Sequence, residues 1–260
     1  MTGTVGQVAQ RGWPQLAERF RRHSKLTAAV TLIVGAIPAL YIGWFVARWG
    51  VEVPSMDDWE MAPLIAKAHT GELTFADLFE QQEEARTVVP KLIFVASAMG
   101  GHWDVRDQMM LSVLICAATA VGIYILLRRS GLSVVPTAIC FWAAALLIFT
   151  PAQFELWLFA SGFPSYMPVL CVLGALLALE TRWPLGVRFA IAAGLSLIST
   201  FTLAHGLLAW GLTLPVFLAG HRIRRSKGWL LAWSAAAAAS AAAYFYGYRK
   251  PAHLPDFAPV

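Results

Sequence analysis

Apolar residues in this chain fall in runs long enough to cross a lipid bilayer, instead of alternating with polar residues. The first run covers residues 26–49, and a helix needs about 20 apolar residues to cross a hydrocarbon core of about 30 Å. Overall, 58% of the residues are hydrophobic and 13% are charged, whereas a soluble domain carries about 25% charged residues. The sequence therefore predicts an all-α protein, a polytopic bundle of transmembrane helices.

Seven of the apolar runs are predicted to cross the membrane. The six that follow the first are residues 107–127, 132–150, 164–180, 189–203, 205–220 and 229–247. The apolar segment 88–100 has only 13 residues, which suits a juxtamembrane helix better than a span. A crossing there would also place Arg128, Arg129 and every later basic cluster on the outer side. We therefore expect about seven spans, with juxtamembrane helices in a first outer loop over residues 50–106.

The uneven distribution of charge orients these spans. Nine of the 15 acidic residues lie between Glu52 and Glu84, and the basic residues cluster in other loops and near the N-terminus. Because basic loops stay on the cytoplasmic side, we expect a cytoplasmic N-terminus. A basic segment 1–25 would lie on the inner surface or be disordered, the transmembrane module would cover 26–247, and an outer tail would cover 248–260. The net charge of +5 follows the membrane, so no nucleic-acid partner is expected.

The sequence lacks the motifs of several enzyme classes. Its three cysteines lie in apolar runs without CxxC spacing, so we expect no cysteine-based metal or redox site. There is no P-loop, GxGxxG, HExxH or GxSxG motif, and nucleotide-driven chemistry is therefore not predicted. No metal site is predicted from motifs, although the clustered carboxylates leave a divalent cation open as a cofactor.

The pair Asp57 and Asp58 is the strongest candidate for chemistry. Paired carboxylates beside a membrane are costly to desolvate and easy to avoid, so their presence indicates a chemical role more than a packing role. Asp58 has capping-box spacing from Ser55, which predicts a helix that ends near Gly71. Helix capping is then the expected role of Asp58, although we also count it as a catalytic candidate. Asp57 has no such structural role and is the preferred catalytic residue.

Other polar candidates lie in the loops predicted to share the outer side. They are Trp59, Glu84, Arg86, Lys91, Glu155, Trp157 and His205. Each has a plainer interpretation: Glu84 can be a solvated residue that Arg86 neutralises, Lys91 can extend towards lipid phosphates, and His205 can be an ordinary loop histidine. Glu155 is an isolated acid between aromatic residues, and such a carboxylate usually has a partner or a role.

Three stretches of the chain resemble the module shared by GT-C glycosyltransferases, in particular a group of bacterial membrane proteins of that type. They are residues 57–79, 154–157 and 199–210, and they follow one another in the expected order. The resemblance departs in residues 81–86, where this chain keeps Glu84 and Arg86 but lacks two histidines of the family pattern. The chain also has fewer segments after its seventh apolar run than is usual for GT-C enzymes.

The resemblance implies a multi-pass glycosyltransferase of the bacterial inner (plasma) membrane. Its donor would be a polyprenyl-phosphate-linked sugar, and its acceptor a hydroxyl group of an envelope glycan or lipid. The implied roles are proton removal by Asp57, phosphate binding by Arg86 with Lys91, orientation by Glu84 or Glu155, and stacking of a sugar on Trp59 or Trp157. Two alternatives stay open, namely a lipid or solute translocation component and a truncated, non-catalytic GT-C-like module.

Overall fold

The computed structural model describes the backbone of residues 5–219 and 227–250, and the side chains of residues 26–216 and 228–250. Within these ranges the protein is built from α-helices and short 3-10 segments without a β-strand, so the predicted all-α class is confirmed. The side chains of the basic segment 1–25 and most of the tail 248–260 lie outside the described residues.

Twelve α-helices lie within the described backbone, and we number them in chain order. They are α1 (Val5–Trp49), α2 (Ala62–Thr70), α3 (Phe75–Phe79), α4 (Val88–Met99), α5 (Val105–Arg129), α6 (Val134–Ile148), α7 (Phe154–Trp157), α8 (Phe163–Leu179), α9 (Leu185–Thr200), α10 (Leu208–Leu212), α11 (Leu214–Ala219) and α12 (Lys227–Phe245). Four 3-10 segments, Met56–Met61, Pro151–Gln153, Ala160–Gly162 and Ala204–Leu207, lie between them.

Four helical stretches are long and apolar enough to cross a membrane. These are Leu26–Trp49, Val105–Arg129, Val134–Trp157 and Ala160–Leu179, and they coincide with the first four predicted spans. Two of the remaining predicted spans correspond to shorter apolar helices, at Leu185–Thr200 and Ala204–Val216. Helix α4 has 12 residues, about 18 Å at 1.5 Å per residue, which is shorter than a hydrocarbon core.

Capping residues determine where the helices of the first polar loop begin and end. The backbone N–H of Ser55 donates to Asp58 Oδ2 at 3.1 Å, and the 3-10 segment Met56–Met61 starts there. Helix α2 continues to Thr70 and ends at Gly71, whose φ of 74° is accessible to glycine without strain. Thr74 and Asp77 have the same spacing as Ser55 and Asp58, and a second capping box joins them at the start of α3.

Helix α5 lies at the centre of the larger hydrophobic core, between α1, α6 and α8. The buried core residues include Ile42, Met109, Phe141 and Phe163 from these helices, together with Phe94 from α4. A smaller cluster joins α8, α9 and α12 around Trp210 and Trp233, whose ring centroids are 4.9 Å apart.

The polar loops meet at one end of the bundle, which we call the acidic end (residues 50–106, 151–163, 201–207 and 244–250). The backbone N–H of Val89 donates to Phe201 O at 3.0 Å. Ser161 Oγ donates to Asp58 Oδ1 at 2.6 Å, and Arg86 Nε donates to Tyr244 O at 2.6 Å. These contacts confirm that polar loops far apart in the sequence come together.

Candidate functional site

A cavity of about 180 Å³ lies at the acidic end, beside the start of α8. Its polar lining consists of carboxylates, an amide and hydroxyl groups, from Asp57, Gln82, Glu83, Glu84, Thr87, Ser161 and Ser165. Its apolar lining includes Met61, Phe94, Phe159 and Leu203. We call it the Asp57 cavity. Its volume is below the about 300–1,000 Å³ of most ligand pockets, but it shares with them a group of convergent polar side chains beside an apolar wall.

The two neighbouring aspartates have different surroundings. Asp58 is 0% exposed, and its carboxylate accepts hydrogen bonds from the N–H of Ser55 and from the N–H and Oγ of Ser161. Asp57 is exposed and lines the cavity. Asp58 is therefore the cap that the sequence predicts, whereas Asp57 is the carboxylate of the pair that lines the cavity.

A tight turn brings Glu83 and Glu84 to the cavity. Gln82 and Ala85 exchange two backbone hydrogen bonds of 2.8 and 2.9 Å, and the two glutamates form the tip between them. Gln82 Nε2 donates to Glu60 Oε2 at 2.7 Å, which joins the turn to the 3-10 segment that carries Asp57. The sequence candidates Asp57 and Glu84 therefore line the same space.

Strained backbone occurs at a residue that lines this cavity and at the neighbour of another. Among the described residues, the non-glycine residues with positive φ are Met56 and Glu83, each with a φ of 47°. Such conformations cost about 1–3 kcal/mol each and concentrate at active sites and ligand clamps. Met56 precedes Asp57 in the chain, and Glu83 lines the cavity itself.

Three carboxylates, two of which line the cavity, could hold a divalent cation. Oxygen atoms of Asp57, Glu60 and Glu83 lie within 4.8 Å of one another, and all three residues are exposed. Carboxylate oxygens are the ligands that Mg²⁺ and Ca²⁺ prefer, so the cofactor left open by the sequence fits these residues. None of the described residues that line the Asp57 cavity is a lysine or arginine.

Arg86 does not line the Asp57 cavity, contrary to the expectation that it meets Asp57 there. It is 6% exposed, and its guanidinium donates to the carbonyl oxygens of Phe79, Tyr244 and Tyr246. Its Cζ also lies 4.6 Å from the centroid of the Phe79 ring. These contacts make Arg86 a structural link between the end of α3 and the end of α12.

Lys91 lies in an adjoining space of about 410 Å³. Its ammonium donates to Glu80 O at 2.7 Å, and burial lowers the pKa of this group while nearby Glu80 opposes the shift. The space also contains Glu60, Asp77, Glu80 and Glu83. Four acidic residues thus share this space with Lys91 and Lys67, and this excess of negative charge disfavours binding of a phosphate there.

The remaining candidates do not line the Asp57 cavity. Glu155 is exposed, and Trp59 is 57% exposed. Trp157 is 0% exposed; it stacks against Phe149 and Tyr166 in the core, so it offers no surface to a sugar ring. His205 lies at a separate apolar cleft of about 150 Å³ between α8 and α10.

The sequence singled out neither Glu60 nor Ser161, which the structure brings to the acidic end. A signal existed for Glu60, because it follows Asp57 by three positions and such residues share a helical face. No local pattern indicates that Ser161 would reach Asp58, since 103 residues separate them.

The site consequently differs in composition from the one expected. Asp57 and Glu84 come together, while Arg86 and Lys91 bind backbone carbonyls, and Glu155, Trp157 and His205 lie elsewhere. The GT-C resemblance rests on the three stretches in the sequence. No family model, curated protein or solved structure matches this chain.

Proposed function

We propose that this protein is a GT-C-type glycosyltransferase, which moves a sugar from a polyprenyl-phosphate donor to a hydroxyl acceptor at the outer face of a bacterial inner membrane. One observation carries the proposal. At the end of an apolar helical bundle, the exposed carboxylate of Asp57 and that of Glu84 line one cavity, and each follows a residue with a positive φ, Met56 and Glu83. Strain that the surrounding structure maintains at a cavity is typical of a functional site.

In the proposed reaction, Asp57 acts as the general base. It takes the proton of the acceptor hydroxyl while the oxygen forms a bond to the anomeric carbon of the sugar. The bond between that carbon and the phosphate oxygen breaks, and its electron pair leaves with the polyprenyl phosphate. A positioned base contributes about 10²–10⁴-fold to such a rate. Ser165 and Glu84, which line the same cavity, are placed to bind sugar hydroxyls.

The leaving phosphate requires positive charge, which the described residues of the Asp57 cavity do not supply. A divalent cation would supply it. Glu60, Glu83 and one carboxylate oxygen of Asp57 would hold the ion, and the other oxygen of Asp57 would remain to accept the proton. Removing divalent cations with a chelator should then abolish transfer, and adding back Mg²⁺ or Mn²⁺ should restore it. Full activity in the presence of the chelator would exclude a role for the cation, and Asp57 would then act only as the general base.

The decisive variant is Asp57→Asn, measured as transfer of labelled sugar from a polyprenyl-phosphate donor by purified protein in lipid. We expect a loss of at least about 10²-fold without a change in expression or thermal stability. Glu72→Gln is the matched control, because Glu72 is an exposed acid of the same loop outside the cavity. Full transfer by the Asp57→Asn protein would refute the assignment.

We also propose seven crossings, with the acidic end outside and α4 lying at the membrane surface. Four helices are long and apolar enough to cross a membrane. In addition, hydrogen bonds join the loops that the proposed crossings place on the same side. Both observations support this topology. In a Cys140→Ser background, a cysteine at Glu84 should react with an impermeant thiol reagent in intact cells. A cysteine at Ser130 should react only after the membrane is opened. The reverse pattern would invert the proposed orientation.

A non-catalytic GT-C-like module is the second candidate. It is favoured by one observation: Arg86 and Glu155, which were expected beside Asp57, do not line its cavity. This candidate predicts that the unmodified protein transfers no sugar and does not bind a polyprenyl-phosphate sugar. This candidate would be excluded if the unmodified protein binds the donor and transfers its sugar, and if the Glu84→Gln variant no longer binds the donor.

A further inference from the structure

The turn that carries Glu83 and Glu84 is held in place by the end of helix α12. Gln81, which precedes the turn, exchanges two hydrogen bonds with the backbone of Arg249, at 2.6 and 2.9 Å. Arg86, which follows it, donates to the carbonyl oxygens of Tyr244 and Tyr246. Both flanks of the turn are thus joined to a segment about 160 residues further along the chain.

Arg86 is the central residue of this attachment. It is 6% exposed, and it also donates to Phe79 O at 2.6 Å, so it connects the turn to α3 as well as to α12. A guanidinium can do this because its donors point in several fixed directions in one plane. A lysine ammonium in the same place has its donors on a single atom and cannot reach three separated carbonyls in this way.

We propose that Arg86 is a positioning residue for the candidate site, and that residues 244–249 complete the site by holding the turn over Asp57. The inference rests on the proposed function only in its expectation for catalysis. Gln82 also attaches the turn to Glu60. The tip of the turn has only two residues, and one of them, Glu83, has a positive φ. Such a strained conformation persists only where the surrounding structure holds it. The end of α12 supplies that support through Gln81 and Arg86.

The first test measures structure and does not depend on activity. In a Cys140→Ser background, spin labels at Glu84→Cys and Glu155→Cys report the distance from the turn to the second polar loop. We expect a narrow distance distribution in the parent protein and a broad one in Arg86→Lys. A second label pair, Ser130→Cys with Arg182→Cys, lies at the other end of the bundle and should stay narrow. An unchanged Glu84–Glu155 distribution in Arg86→Lys would overturn the proposal.

Two further variants separate positioning from general loss of folding. Gln81→Ala removes the other attachment and should also broaden the Glu84–Glu155 distribution, whereas Arg106→Lys, at an exposed arginine outside the cavity, should not. If the second label pair broadens together with the first in Arg86→Lys, the fold has been lost and Gln81→Ala decides the outcome.

Catalysis supplies the second readout. A displacement of about 1 Å at a catalytic group lowers rates by about 10²-fold, so Arg86→Lys should reduce kcat to this extent while KM for the donor changes less than threefold. A rise in KM with unchanged kcat would instead indicate direct binding of the phosphate by Arg86 and would overturn the positioning role. If the parent protein transfers no sugar, the proposed function fails and the distance measurements still test the positioning role.

Discussion

Asp58 and Ser161 join two polar loops that are 103 residues apart in the chain. Asp58 Oδ1 accepts hydrogen bonds from the backbone N–H of Ser161 at 2.9 Å and from its Oγ at 2.6 Å, while Oδ2 caps the 3-10 segment at Ser55. A buried carboxylate persists only where such donors surround it. The same link holds the neighbouring Asp57 at the edge of the cavity, so a structural contact determines the place of the candidate base.

Replacing Asp58 with alanine should lower stability much more than replacing Asp57. The change leaves the N–H groups of Ser55 and Ser161 without their acceptor, and hydrogen bonds to a charged group contribute about 1.5–3 kcal/mol each. The melting temperature of the detergent-solubilised protein measures the effect. Asp57→Ala is the matched control and should melt within about 2 °C of the parent. Equal melting temperatures for the two variants would contradict the burial of Asp58.

Trp157→Ala should be strongly destabilising, although this residue was expected to stack on a sugar. The side chain is 0% exposed, and its Nε1 donates to Thr150 O at 3.0 Å. Truncation of a buried tryptophan costs about 3–5 kcal/mol. Trp59→Ala, at a ring that is 57% exposed, should change the free energy of unfolding by less than about 0.5 kcal/mol. Similar losses in both variants would show that Trp157 is not a core residue.

Gly206→Ala should disturb the turn between α9 and α10. A Cβ at this position would lie 1.8 Å from the carbonyl oxygen of Ser199, so the backbone must shift. Gly194→Ala, within α9, meets no atom within 4 Å and should be stabilising by about 0.5–1 kcal/mol, because glycine is unfavourable inside a helix. The two melting temperatures should therefore move in opposite directions. A rise in both would contradict the close approach at Gly206.

Asp77 should make stability depend on pH in the acidic range. The hydrogen bond from Lys67 Nζ, at 2.5 Å, and those from Thr74 lower the pKa of this carboxyl well below its ordinary value of 3.8. The folded state thus prefers the ionised form, and its contribution is complete above pH 3.8 and is lost as the pH falls towards the folded-state pKa. The melting temperature of Asp77→Asn should accordingly lie below that of the parent at pH 7, and the difference should shrink below pH 3.8.

Lys67→Met provides the control for this pH dependence. It removes the hydrogen bond from Lys67, which does most to lower the pKa of Asp77, so its deficit in melting temperature should shrink over the same acidic range. The double variant should lose less than the sum of the two single losses, because the partners are in direct contact. A deficit that is constant from pH 7 to pH 3 would refute a stabilising role for the ionised pair.

Local patterns were sufficient for the helices of the bundle. The runs 107–127 and 164–180 correspond to Val105–Arg129 and Phe163–Leu179, because the length of an apolar run and its flanking polar residues determine such a helix. The two capping boxes were also visible as short-range spacings. The sequence did not indicate the helix bounds as well in the last three predicted spans. The apolar run 205–220, predicted as one span, is divided between α10 and α11.

The sequence by itself determined that the chain forms a bundle of apolar helices, because the length of an apolar run and the residues that cap a helix are local properties. Only the tertiary structure decided which polar residues share a cavity. Asp57 and Glu84 line one space, whereas the guanidinium of Arg86 turns towards the carbonyls at the end of α12. The physical reason is that a buried arginine must satisfy its donors with whatever acceptors packing supplies, and packing between distant segments is not encoded in any short stretch of sequence.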